Sequence, residues 1–241
     1  MRALVFLAAA VGIVSHVVVR AQAQGTQAAG ARGDLTGVYI GARQPFVEPE
    51  VYPFTPEGER AHSDYDPLTG DPRQYDDCAE ESIPAVLWAG TVSNMQVIQE
   101  ADGVIELHYE HGGAERTIHM GGTAPAAEEL HTNLGYSVGR WEGDALVIET
   151  TNLNGGVVFT NRGYPLSPQT HLTERYTRDT ERDLHMELTI EDLANYTEAF
   201  KLGREWIWSP DDQIIPWNCV SLGDRDGEQD IDEIRRILNE L

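Results

Sequence analysis

The sequence predicts an all-β fold: about eight short strands in an antiparallel meander, closed or curled into an up-and-down barrel, with a short C-terminal helix. Three observations carry this. Apolar and polar residues alternate in short runs from Met95 to Trp208, Gly- and Asp-containing turn signals separate the runs, and helical spacing occurs only at the chain's end. About eight strands in a meander leave two unpaired edges, and closure removes them.

The elements follow in order. Residues 1–23 read as a secretory leader: Arg2, an apolar run from Ala3 to Val19, then the small-x-small triplet Ala21-Gln22-Ala23. An N-terminal membrane anchor is the alternative, but the run is short of the ~20 residues a spanning helix needs. Export to the periplasm or beyond is expected, with no membrane insertion of the mature chain. Residues 24–34 form a Gln-, Ala- and Gly-rich lead-in. Residues 35–91 read as a proline-rich irregular wrap with a short helix near Glu57–Ser63, since proline at that density forbids long helices and central strands. The barrel core spans 92–222, with strands at Met95–Gln99, Val104–Glu110, Arg116–Met120, Tyr136–Trp141, Ala145–Thr151, His171–Arg178, Leu184–Glu191 and Phe200–Trp208. The expected architecture is lipocalin-like. An acidic tail over 223–241 ends in an amphipathic helix carrying Ile231, Ile234, Leu238 and Leu241.

Charge narrows the function. The leader carries two of the 17 basic residues and none of the 40 acidic ones, so its removal takes the net charge from −23 to −25. Such a surface repels nucleic acid and anionic lipid. Cys78 and Cys219 are the only cysteines, and in an oxidising compartment they most simply pair. That bridge would close a loop of about 140 residues, worth on the order of 4–5 kcal/mol in the chain-entropy model. Two free thiols or a redox pair are the alternatives, the latter without a C-x-x-C spacing to support it.

Strand alternation assigns faces. Ile105, Leu107 and Tyr109 share one face, as do Leu184, Met186, Leu188 and Ile190. Three polar residues fall on such apolar faces: Glu174 between Leu172 and Tyr176, Arg116 with Ile118 and Met120, and Thr150 with Leu146 and Ile148. A buried charge costs several kcal/mol unless paired, so Glu174 and Arg116 are expected to find partners. Two readings remain. One is a structural ion pair that closes the barrel. The other is a polar spot in a cavity enclosing an apolar small molecule, with Glu174 moving a proton, Arg116 steadying an oxyanion or carboxylate, and Tyr176 assisting, in a lyase, isomerase or cyclase type of reaction. In that second reading Tyr136, Arg140, Trp141, Thr150 and Tyr109 line the ligand site. A non-catalytic carrier and a structural or interaction protein are the alternatives in function.

Other chemistries have less support. His108, Glu110, His111 and His119 cluster around one hairpin, but His108 and Glu110 point to one face and His111 to the other, and no compact ligand spacing is present. Asp224, Asp226, Gly227, Glu228, Asp230 and Glu233 fit part of a calcium-loop template, with Leu222 where its first Asp belongs. No Gly-rich phosphate loop or Gly-x-Ser-x-Gly elbow occurs, so neither a metal nor an organic cofactor is expected.

The stretch Gly135-Tyr-Ser-Val-Gly-Arg-Trp-Glu-Gly-Asp-Ala-Leu-Val-Ile-Glu-Thr-Thr-Asn152 resembles a signature of a widespread group of exported bacterial proteins of uncharacterised function. In that group a Gly-His-Ser-x-Gly-x-Trp-Glu-Gly-Asp hairpin follows an Arg-x-Ile strand, matched here by Arg116-Thr-Ile118, and a later Glu-Arg-Tyr strand, matched by Glu174-Arg-Tyr176. The resemblance covers about residues 78–200. It implies a β-rich fold and carries no activity to transfer. Tyr136 stands where the group has His. Trp141-Glu-Gly-Asp144 also reads simply as a tight turn with an aromatic anchor.

Overall fold

The computed structural model describes residues 33–42, 47–67, 81–88, 94–99, 103–123, 130–159, 161–218 and 236. The expected leader, lead-in and C-terminal helix, the calcium-like segment and both cysteines lie outside these residues, Gly33, Asp34 and the helical Arg236 excepted.

Nine strands form one closed barrel. They are β1 (Gly37–Gly41), β2 (Met95–Gln99), β3 (Val104–Tyr109), β4 (Glu115–Met120), β5 (Tyr136–Glu142), β6 (Ala145–Thr151), β9 (His171–Arg178), β10 (Asp183–Glu191) and β11 (Phe200–Trp208). A separate ribbon pairs β7 (Gly156–Val157) with β8 (Pro165–Leu166). The eight expected strands are all present, with small shifts at their ends. The ninth, β1, comes from the segment expected to be an irregular wrap, and it pairs with both β11 and β2 to close the ring. Between Gly37 and Gly41, Val38, Tyr39 and Ile40 are apolar in succession, so the segment shows no alternation.

Nine strands also change the topology. Each antiparallel interface reverses the strand direction, and direction must return to its start after one circuit. A ring with an odd number of strands therefore contains at least one parallel interface. It lies between β4 and β5, where the three paired positions are Ile118 with Ser137, His119 with Val138 and Met120 with Gly139. The expected all-antiparallel meander is thus corrected at one seam: β4 and β5 are joined by a crossover rather than a hairpin. Gly139 permits the close approach there, since a Cβ on it would lie 2.5 Å from Met120 Sδ and 2.7 Å from Ile118 Cγ2.

The interior follows the alternation. Leu107, Ile118, Ile148, Leu172, Leu188, Leu202 and Trp206 point in and are buried. Burial of such side chains contributes roughly 1.5–3 kcal/mol each. The apolar turn Ala85–Trp88 is buried throughout, and the inward Arg204 donates to the Leu87 carbonyl.

The wrap is held by aromatic stacking. Helix α1 (Pro56–Asp64) starts at Thr55, whose hydroxyl accepts from the Gly58 amide at 3.0 Å, with Pro56 in the first turn and Glu57 and Glu59 favouring the helix dipole. Gly58 lets the helix lie against the 192–196 loop, because a Cβ there would come within 2.0 Å of the Asn195 carbonyl oxygen. Tyr52 stacks on Tyr164 at 4.0 Å and Phe54 on Tyr196 at 5.3 Å, so the wrap and the barrel share one apolar cluster.

Candidate functional site

Arg116 and Glu174 meet inside the barrel. Arg116 Nη2 lies 2.6 Å from Glu174 Oε1, and Nη1 lies 3.1 Å from Oε2, a two-pronged pair from β4 to β9. The remaining donors are also taken. Arg116 Nε donates to Ser137 Oγ at 2.9 Å and Nη2 to Thr150 Oγ1 at 2.5 Å, and the two hydroxyls share a further bond at 3.1 Å. The Tyr176 hydroxyl donates to Glu174 Oε2 at 2.8 Å. One guanidinium thus ties β4, β5, β6 and β9 together and spans the parallel seam, whose ladder has three paired positions.

Burial sets the electrostatics. Arg116 is 2% exposed and Glu174 0%, so no water-sized space adjoins the carboxylate. Burial alone would pull the Arg116 guanidinium down, and the adjoining Glu174 more than reverses this, holding it above the ordinary arginine range. Burial, then the Glu174 charge, pushes the Tyr176 phenol well above its usual value. Burial raises Tyr109 to about 12, with Arg116 opposing. The Tyr109 hydroxyl sits near Arg116 and Tyr176 and makes no hydrogen bond of normal geometry with either.

The predicted site residues therefore divide. Arg116, Glu174, Tyr176, Thr150 and Tyr109 converge inside the barrel. Trp141 is half-buried against the core on the same side. Arg140 is on the outer surface, paired with Glu142 at 2.9 Å and Glu149 at 2.6 Å. Tyr136 also faces outward, its ring stacked on His119 at 4.6 Å with an angle of 11° between planes. Ser137 was absent from the expected set although alternation was sufficient to find it: it precedes Gly139 and Trp141 at two-residue spacing, on the inner face.

A window opens where β4 and β5 cease to pair. It has a volume of about 340 Å³ and is lined by Glu115, Thr117, His119, Thr132, Leu134 and Tyr136, with Arg116 and Ser137 at its root. A second hollow of about 490 Å³ lies over the outer faces of β9–β11. Its outward basic side chains are matched by acids: Arg175 by Glu142 at 2.7 Å, His185 by Glu205 at 3.1 Å and Lys201 by Glu187 at 2.7 Å.

The histidine cluster disperses. His111 faces Glu81 at 3.0 Å, His119 stacks on Tyr136, and Glu110 accepts from Asn94 and from the Ile215 amide. Among the described residues, no group of three His, Cys, Asp or Glu side chains is placed to hold a metal ion. Nor is any helix among them long and apolar enough to cross a membrane.

No family model matches the chain, and no curated protein matches it. Among solved structures, the chain is similar to a secretory abundant heat soluble (SAHS) protein from Ramazzottius varieornatus, at 10% identity over 73% of this chain and 95% of that one, with a TM-score of 0.35. That score is too low for residue correspondence, and the barrel assignment rests on the strand pairing.

Proposed function

We propose that this is an exported, non-catalytic barrel that binds a small polar molecule at the β4–β5 window. The observation that carries this reading is the contrast between a closed centre and an open seam. Both Oε atoms of Glu174 are engaged and no water-sized space adjoins them, whereas a general base needs a lone pair within reach of its substrate. This favours a holding role for Glu174, Arg116 and Tyr176 over proton transfer. An apolar guest would find little room beside these side chains, while the window falls in the size range of small-molecule pockets and offers hydroxyls and an aromatic pair. Export is supported by the leader-like first 23 residues and the acidic composition.

Native mass spectrometry of the full chain, secreted by its own cells and compared with a Thr132→Trp variant, tests this. Thr132 is exposed at the window's rim, so the indole fills the opening without touching the core. A bound small molecule on the wild type and none on the variant is the expected result. Equal occupancy on both, or none on either, would refute the assignment.

A further inference from the structure

At the opposite end of the barrel from the β3–β4 turn, a second guanidinium is held without an acid. Arg178 ends β9, beside Trp208 at the end of β11 and Tyr39 on β1. Its Cζ lies 5.4 Å from the Trp208 ring and 5.9 Å from the Tyr39 ring, so two aromatic faces fix its plane. One nitrogen, Nη1, reaches the Asp34 carbonyl at a long 3.4 Å. The other two, Nε and Nη2, are buried and have no hydrogen-bond partner, and neither does the buried Trp208 Nε1. Trp208 itself is 8% exposed.

The identity of the unfilled nitrogens matters. Nε and Nη2 form the side-on edge of a guanidinium, from which two N–H bonds project in parallel toward one oxyanion. Gly37 lies against the indole nitrogen and leaves it no side chain to contend with: a Cβ there would lie 2.4 Å from Trp208 Nε1, and a φ of +141° favours glycine. A buried donor left unmade is costly, which argues for an acceptor at this place. Asp34 does not serve: its carboxylate caps the Thr36 amide at 2.8 Å.

From this geometry we infer that Arg178 and Trp208 form a binding site for a small oxyanion, a carboxylate or a phosphate group. The site is independent of the β4–β5 window. Admission requires residues 33–34 to shift outward, and their hold on Arg178 is the one 3.4 Å contact. Elsewhere the lead-in is tied by Tyr39 Oη to the Leu35 carbonyl at 2.8 Å and by the Leu35 amide to Gln99 Oε1 at 2.7 Å, which keeps the movement local.

Equilibrium dialysis of the full chain against inorganic phosphate, and separately acetate, at constant ionic strength in chloride tests the site. Saturable binding of about one anion per chain is expected, and the stronger of the two identifies the group. Arg178→Lys keeps the charge and removes the edge, and should weaken binding by roughly tenfold or more. Trp208→Phe keeps the ring and removes one donor, for a several-fold loss. Absence of saturable binding of either anion overturns the site, as does full affinity in R178K. Should R178K fail to fold, W208F decides: a loss supports the site and unchanged affinity overturns it.

Discussion

Two Arg–Glu pairs in this barrel have the same closest N–O distance, 2.6 Å, and opposite settings. Arg116 and Glu174 are 1% and 0% exposed in their side chains, while Arg140 and Glu149 are 47% and 41% exposed. The outer pair exchanges hydration for a contact of similar strength and gains little. The inner pair has lost its water altogether, so each charge depends on the other and on Ser137, Thr150 and Tyr176. Contact distance alone says nothing about importance here; the medium decides.

The largest effect expected from breaking that contrast is at Glu174. Glu174→Gln leaves the Arg116 charge buried without its counterion, and equilibrium unfolding in denaturant should show a loss of about 3–5 kcal/mol. A smaller loss is expected at the seam the pair spans. Gly139→Val drives a side chain into Met120 and Ile118, and overpacking of this kind costs about 1–3 kcal/mol. If the three-residue parallel ladder is the weak interface, hydrogen exchange should quicken first at β4 and β5 in this variant.

Next comes an alkaline limit set by the interior. Burial raises Tyr39 and Tyr109 from 10.0 to about 12 in the folded protein. The folded state holds these protons more tightly than the unfolded one. The stability tied to them is therefore complete below pH 10 and is lost as pH rises toward 12, by roughly 1.4 kcal/mol per unit and per group. Melting temperature against pH, with phenolate absorbance as the second probe, checks the sign; Tyr109→Phe should flatten the fall. The smallest effect belongs to the outer pair: Arg140→Ala should leave the denaturation midpoint within error.

The interior charges were legible in the sequence because strand alternation is strict. Glu174 between Leu172 and Tyr176, and Arg116 before Ile118, declare their face through neighbours two residues away. The same rule would have placed Ser137 inside and Tyr136 outside. The hairpin signature drew attention to Tyr136 and Arg140 as part of a motif, although the pleat sends both to the outer surface. Three features lay beyond local pattern. Strand β1 carries three apolar residues in succession between two glycines, which shows no period of two. The parallel seam follows from the strand count, which one missed strand changes from even to odd. The fork of Arg178 over Trp208 joins residues two strands apart, a lateral proximity that alternation along one strand does not reveal.

The central claim, that the Arg116–Glu174 pair holds the barrel closed, is tested most directly by replacing both charges. In Arg116→Met/Glu174→Leu the buried charges and their mutual dependence disappear together, while similar volume is kept. Denaturant unfolding of this double variant should recover most of the stability lost in Glu174→Gln. A double variant as unstable as the single one would contradict the account.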